Sequence, residues 1–198
     1  MEEKIKEAFE HYYQKFTRIF KSFYPSTGSD GFVERNLTNN FVNELNRLLD
    51  DDKSFSWYEI SIPKSGNGIK KGHIDAVLIS PDMNTIFYIE AKRLSTYRGN
   101  FKKRIESITS DFNRIIDKEN RDSIKLRVGH EFKNEYIICL ADFWISDNYK
   151  EIPNKNWIDE DKKNIVYLSK KIENEKYMDK AILNYCLHLA YYKIGNQE

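Results

Sequence analysis

Cysteine, proline and glycine are all scarce in this sequence. The 198 residues include two cysteines, four prolines and eight glycines, and no internal repeat or low-complexity tract is present. Cys139 and Cys186 are too few for a disulfide framework or for a zinc site built on cysteines. Both lie in apolar surroundings, as is usual for free cysteines of proteins from a reducing compartment.

The sequence also lacks an excess of charge of one sign and lacks a long apolar run. Its 32 basic and 31 acidic residues leave a net charge of +1, so a signal for nucleic-acid binding has to be a local patch. No stretch approaches the roughly 18 apolar residues of a membrane span. The first residues, Met1 to Lys4, do not resemble a secretory signal. We therefore expect a soluble, cytoplasmic protein that does not bind membranes.

Aromatic residues, in contrast, are abundant. They make up 14% of the chain, within a hydrophobic share of 40%, and such a composition excludes wholesale disorder. The length fits one domain. We expect a single domain, with an appended N-terminal helix (1–24), a core at about 32–145 and a C-terminal strand and helix (164–194).

Hydrophobic spacing predicts the secondary structure. Helices are predicted over 2–23, 32–49, 100–116 and 176–194, and strands over 54–62, 73–80, 85–92, 135–145 and 164–168. Residues 117–134 give no clear prediction. This order indicates an α/β fold with a central mixed β-sheet that is flanked by helices on both faces.

Two of the predicted strands form a hairpin that carries candidate chemistry. If the turn consists of residues 81–84, paired positions sum to 165 and Asp75 lies opposite Glu90. Cross-strand partners share a face, and side chains alternate along a strand, so Lys92 joins that face. Both faces of the hairpin are otherwise apolar, which is typical of central strands covered on both sides.

Two carboxylates and an ammonium group thus meet at one end of a buried hairpin. Like charges at this distance repel, and burial penalises each of them, so a bound cation would stabilise the arrangement. Oxygen ligands favour a hard ion such as Mg²⁺. The alternative is a structural hairpin end, at which Lys92 neutralises one of the carboxylates.

Asp75 followed by Glu90-Ala91-Lys92 resembles the signature of the PD-(D/E)XK nuclease superfamily. A small residue, Gly72, before the aspartate and apolar residues before the glutamate agree with that pattern, although Ile74 replaces the proline of the motif. The predicted order of elements over residues 32–145 is similar to the family core. The resemblance implies a restriction-endonuclease-like fold.

The resemblance also implies a function and the roles of site residues. The protein would be a Mg²⁺-dependent nuclease, with Mn²⁺ able to substitute, that acts in restriction, defence or DNA processing. Asp75, Glu90 and the backbone carbonyl of Ala91 would bind the metal, and Lys92 would activate the attacking water. Glu34 would contribute through water or a second ion. A catalytically silent binding or interaction module on the same fold is the alternative.

Several further residues are candidates for supporting roles. Glu34 is favoured as the third acidic residue because it lies on the helix face towards the core, and Glu44 is the rival. His73 and Asp111 are auxiliary candidates. Asp111 and Arg114 lie on one helix and could brace the site or the substrate, or form an exposed helical face.

A basic segment leads out of the hairpin. Residues 92–104 contain six basic residues and no acidic one, and such a patch favours contacts with phosphates. The candidate nucleic-acid-binding residues are Lys70, Lys71, Arg93, Arg98, Lys102, Lys103 and Arg104. A solvated basic surface is the alternative reading of this segment. DNA is the expected partner, whereas RNA, a homodimer and a protein partner stay open.

Overall fold

The structure is a computed structural model that describes residues 1–22, 34–62, 72–94, 100–146, 157–158, 164–173 and 183–195. Within these ranges the chain forms four helices and six strands. The helices are α1 (Glu2–Ser22), α2 (Glu34–Leu49), α3 (Asn100–Ile116) and α4 (Lys118–Val128). The strands are β1 (Phe55–Ile62), β2 (Gly72–Ser80), β3 (Thr85–Arg93), β4 (Asn134–Ser146), β5 (Val166–Ile172) and β6 (Leu183–Ile194).

The six strands form one mixed sheet in the order β1-β2-β3-β4-β6-β5. The central pair β3–β4 is parallel, and the other pairs are antiparallel. A parallel pair needs a crossover connection, and α3 and α4 lie in the chain between β3 and β4. This crossover brings the start of α3 close in the chain to the end of β3, where the hairpin chemistry is predicted.

Helices cover both faces of the sheet. The apolar faces of α1 and α2 pack on one side, where Phe16 and Phe41 are fully buried. The other side carries α3 and α4, with Phe112 and Ile124 at the centre of the contact. The sequence prediction of an α/β fold, with a mixed sheet between two helical layers, is confirmed.

The predicted C-terminal helix is wrong from residue 183 onwards, where the chain forms β6. Tyr185 and Leu187 face α1 and α2, whereas Cys186 and His188 face the opposite layer. A strand that is buried on both faces has few polar residues to mark its alternation, so its apolar residues also match helical spacing. Residues 176–182 of the predicted helix lie outside the described part of the chain.

Helix α4 was not predicted from the sequence, although its ends carry ordinary signals. The Asp117 side chain caps the first turn by accepting a hydrogen bond from the backbone N–H of Glu119. Gly129 ends the helix in the left-handed conformation, at φ 69°. The helix has only a narrow apolar face, so its hydrophobic spacing was too weak to reveal it.

Candidate active site

The β2–β3 hairpin has the predicted register. Ser80 pairs with Thr85, and the pairing continues to Ala76 and Ile89, each pair summing to 165. The turn is fixed by Asp51, whose Oδ2 accepts hydrogen bonds from the Ser80 hydroxyl (2.6 Å) and from the backbone N–H of Asp82 (3.1 Å). Because a slip of one residue would reverse every side chain, this turn determines which faces the side chains occupy over the regularly paired part of the hairpin, up to Ala76 and Ile89.

The backbone departs from regular pairing next to Asp75. On the β3 side, the Oδ2 atom of Asp75 accepts a hydrogen bond of 2.7 Å from the backbone N–H of Ala91. On the β1 side, the opposing residue is Glu59, which has a φ of 55°. A left-handed residue inside a strand is strained, and such strain occurs preferentially at functional sites. Ile74 packs with the α3–α4 layer, against the alternation expected of it, which places the irregularity at Asp75.

The two hairpin carboxyl groups lie together in a buried place. Glu90 is 1% exposed, and burial raises its pKa well above the ordinary value, with further increases from the charges of Asp75 and Asp111. Burial also raises the pKa of Asp75, although the hydrogen bond from the backbone N–H of Ala91, the charge of Lys92 and a hydrogen bond with Glu90 partly offset the increase. In the metal-free protein, the two groups therefore resist ionising together.

Lys92 extends into the same group of charges. Its Nζ lies 3.1 Å from Oδ2 of Asp111 and 4.0 Å from Oε2 of Glu34. Burial lowers the pKa of Lys92, but the surrounding carboxylates, first among them Glu90, outweigh that effect and the pKa is raised. The side chain is therefore an ammonium group that pairs closely with Asp111 and lies at the edge of ion-pair distance from Glu34.

Glu34 reaches the sheet end from the first turn of α2. Its Oε1 accepts a hydrogen bond of 3.0 Å from the backbone N–H of Arg93. Glu44 lies elsewhere, 3.6 Å from Lys15 of α1 and 3.4 Å from Arg47. Of the two candidates for the third acidic residue, the structure brings only Glu34 to the hairpin end.

Helix α3 contributes one acidic and one basic residue. Arg114 donates to Oε1 of Glu90 (3.0 Å) and to the carbonyl oxygen of His73 (2.8 Å), and it pairs with Asp111 at 2.9 Å. Asp111, an auxiliary candidate, thus bridges Arg114 and Lys92. The His73 side chain is exposed, with Nδ1 3.3 Å from the Ser61 hydroxyl, so only its carbonyl oxygen joins the group.

Arg93 is placed differently from the expectation that it binds nucleic acid. Its guanidinium lies 2.7 Å from Oδ2 of Asp142, a fully buried residue opposite it on β4, and the Tyr185 hydroxyl donates to the same carboxylate. Burial raises the pKa of Asp142, and Arg93 opposes that increase. Sequence reasoning missed Asp142, although an acidic residue in the middle of an otherwise apolar stretch of β4 was a usable signal.

The other basic candidates divide between two situations. Lys103 and Arg104 are exposed on the first turns of α3. Lys70, Lys71 and Arg98 lie outside the described residues, as does the side chain of Lys102. Two cations of the predicted patch are therefore seen on the surface, next in the chain to the hairpin end.

The charges of the site do not balance. Four carboxylates and two cations leave a formal excess of two negative charges in the group Glu34, Asp75, Glu90, Asp111, Lys92 and Arg114. Asp75 and Glu90 bring carboxylate oxygens close together, and this donor set fits a hard divalent cation. No cluster of three or more acidic, histidine or cysteine side chains within the described ranges is arranged around a common metal position. The fit therefore rests on two carboxylates.

Comparisons of the chain with protein-family models, with curated proteins and with solved structures find no match. None of the helices in the described part of the chain is long and apolar enough to cross a membrane.

Proposed function

We propose that this protein is a Mg²⁺-dependent nuclease of the PD-(D/E)XK superfamily, with a restriction-endonuclease-like core. The reaction is the hydrolysis of phosphodiester bonds, and DNA is the expected substrate. The observation that carries this proposal is the gathering of Asp75, Glu90 and Lys92 at one end of the hairpin, with Glu34 added from α2.

The arrangement is difficult to explain as a structural ion-pair cluster. Buried ion pairs stabilise a fold only weakly, and a cluster with an excess of negative charge opposes folding. The raised pKa values of Asp75 and Glu90 reflect this cost, since each carboxyl group ionises less readily in the folded protein than in water. Sites that sacrifice stability in this way are commonly functional sites.

Asp75 and Glu90 would hold the metal ion, with the carbonyl oxygen of Ala91 as a further ligand. When bound, Mg²⁺ supplies Lewis acidity at the phosphoryl oxygen and lowers the pKa of an attacking water. The hydrogen bond from Ala91 to Asp75 fixes one carboxylate oxygen, which orients the other. Buried on β3, Glu90 has little freedom to leave the site.

Lys92 and Glu34 complete the machinery from the side of the sheet end. The Lys92 ammonium group donates hydrogen bonds, so it orients the attacking water and stabilises negative charge that develops on the phosphoryl group. Glu34 is anchored by the backbone N–H of Arg93, with its second oxygen 4.0 Å from Lys92. It therefore holds Lys92 in place and accepts a hydrogen bond from water.

The substrate would reach this site across a basic surface. Lys103 and Arg104 are exposed on α3, one to two turns from its start and close in the chain to the end of β3. Such cations attract the phosphate backbone without reading its sequence. The proposal therefore includes nucleic-acid binding that weakens steeply as the salt concentration rises.

A catalytically silent nucleic-acid-binding or interaction module is the second candidate. It is favoured by the internal pairing of the site, because Arg114 already neutralises Glu90 and Asp111 already neutralises Lys92. The two candidates differ in cleavage, and they agree on binding to nucleic acid.

Nicking of supercoiled plasmid DNA, with Mg²⁺ and with EDTA, separates these candidates. We expect the parent protein to nick or linearise the plasmid only with the metal, and Asp75→Asn to be inactive at unchanged fold. Glu44→Gln is the matched control, since Glu44 is an acidic residue of α2 that lies against α1, and it should retain full activity. A parent protein that binds DNA but cleaves neither DNA nor RNA would establish the silent module instead.

A further inference from the structure

Arg114 extends from α3 into the candidate active site and is fixed there by three acceptors. The Glu90 carboxylate, the Asp111 carboxylate and the carbonyl oxygen of His73 all lie within 3.0 Å of its two terminal nitrogens. These acceptors come from two strands and a helix, so the planar guanidinium is held in one orientation. Arg114 is therefore a cation that directly contacts the proposed metal ligand Glu90.

The sequence makes room for this side chain at Gly72. A Cβ atom at position 72 would lie 3.0 Å from Cδ of Arg114 and 3.2 Å from Cζ. Glycine inside a strand is unfavourable because it costs conformational entropy, so a close approach of another group is a usual reason for it. In this protein the approaching group is the Arg114 side chain, and the glycine in β2 leaves the space that it occupies.

The burial of the Arg114 Nε atom is a second unfavourable feature of this arrangement. The Nε atom of Arg114 is buried, and it has no hydrogen-bond partner in the described part of the chain. Buried donors without partners are rare in folded proteins because each one loses its bonds to water. The arrangement keeps a guanidinium beside Glu90 despite this loss, and a purely structural ion pair offers no reason for it.

We propose that Arg114 is a positioning residue that acts through Glu90. It holds the carboxylate at the metal position before Mg²⁺ arrives, and its charge lowers the affinity of the site for the ion. The inference rests on the proposed nuclease function, and it adds that the metal affinity of this site is set by a competing internal cation. Fixing the ligand accelerates the reaction, and the competing charge keeps metal binding weak and reversible.

The charges of the site give the expected change in metal affinity when Arg114 is removed. Without the guanidinium, the excess of negative charge in the site rises from two to three. Removal of a unit charge that contacts a ligand of a divalent ion, with screening close to that of water, should tighten binding about tenfold. The sign is what distinguishes this role, because damage to the fold of the site would weaken metal binding.

The experiment is a calorimetric titration of the protein with Mg²⁺, and with Mn²⁺, in the absence of nucleic acid. Arg114→Gln should bind both ions about tenfold more tightly than the parent, while its turnover on supercoiled DNA at saturating Mg²⁺ falls at least tenfold. The KM for DNA should stay nearly unchanged. Arg114→Lys keeps the positive charge but lacks the planar guanidinium with its several donors. Its metal affinity should therefore be closer to that of the parent.

Two further variants keep the test sharp. Gly72→Ala crowds the guanidinium away from Glu90 without removing its charge from the protein, and it should also tighten metal binding. Arg121→Gln is the matched control, since Arg121 is a nearly buried arginine of α4 whose Nε lies 3.0 Å from Glu135. It should lower the melting temperature and leave the metal affinity unchanged.

The outcomes separate this inference from the proposed function. Unchanged or weaker metal binding in both Arg114→Gln and Gly72→Ala, in a parent that binds Mg²⁺ and cleaves DNA, would overturn the role of Arg114 alone. A parent that binds metal without cleaving DNA would overturn the nuclease and leave the competition to be decided by the titration. A parent that binds neither ion would overturn both.

Discussion

Replacing Glu90 with glutamine changes the charge of the most deeply buried carboxyl group of the site at nearly constant shape. Two effects oppose each other in Glu90→Gln. The variant loses the charged bond to Arg114, worth about 1–3 kcal/mol for a hydrogen bond between charged groups. It also relieves the burial of a carboxylate and its repulsion by Asp75 and Asp111, the causes that raise the pKa of Glu90.

The direction of the pKa shift of Glu90 determines which of these two effects on stability is larger. A carboxyl group whose pKa is higher in the folded than in the unfolded protein binds more protons when folded. Stability is therefore retained below the unfolded pKa and lost as the pH rises towards the folded pKa, by at most about 1.4 kcal/mol per pH unit. Because the shift of Glu90 is upward despite the presence of Arg114, relief outweighs the lost bond at neutral pH.

We therefore expect metal-free Glu90→Gln to be as stable as the parent, or more stable by about 1 kcal/mol, at neutral pH. As the pH rises above the ordinary glutamate pKa of about 4.3, the free energy of unfolding of the parent should fall relative to the variant. Urea denaturation at a series of pH values, in EDTA, measures both quantities. Addition of Mg²⁺ should raise the melting temperature of the parent by mass action and change that of the variant much less.

Glu135→Gln is the control for this experiment. Glu135 is a half-buried carboxylate at the start of β4 that pairs with Arg121 and Lys125, far from the hairpin end. Its removal takes the carboxylate partner from Arg121 and one of the carboxylate partners from Lys125, which keeps Asp122 at 2.8 Å, and it should cost about 2 kcal/mol. If Glu90→Gln lowers the free energy of unfolding by as much as Glu135→Gln does, and Mg²⁺ does not raise the melting temperature of the parent, the site is a structural ion-pair cluster and the proposed metal site is refuted.

Three further changes test separate parts of the account. Lys92→Met should abolish cleavage and preserve Mg²⁺ binding by calorimetry, while the metal-free protein loses about 1–2 kcal/mol in urea, because Lys92 counters several carboxylates; retained cleavage would remove Lys92 from the mechanism. The double variant Lys103→Glu, Arg104→Glu should weaken DNA binding and reduce the slope of log affinity against log salt by about 2. An unchanged slope would reassign both residues to plain surface. Asp142→Ala strands the Arg93 guanidinium and should cost about 3–5 kcal/mol in urea; a loss below about 1 kcal/mol would show that water takes over its role.

The hairpin was predictable because its information is local. A four-residue turn determines the register up to Ala76 and Ile89, so arithmetic already places Asp75 and Glu90 next to each other at the hairpin end. The break in alternation at Asp75 was not predictable in this way. The assignment of helices to both faces was predictable for a related reason, because both faces of the hairpin are apolar.

The rest of the site depends on packing that local patterns do not encode. Glu34 and Arg114 reach the hairpin end only because α2 and α3 cover opposite faces of the sheet. The pairing of Arg93 with Asp142 depends on the parallel alignment of β3 and β4, which lie some fifty residues apart in the chain. The β6 strand was missed because burial on both faces hides the period of a strand.

The position of the metal is the most direct test of the central claim. Crystals of the protein soaked in Mn²⁺ should give an anomalous difference peak bounded by the carboxylates of Asp75 and Glu90, since Mn²⁺ accepts the same oxygen ligands as Mg²⁺. The same soak of Asp75→Asn should give no peak there. A parent crystal in which no anomalous peak lies between these two carboxylates at saturating Mn²⁺ would contradict the account.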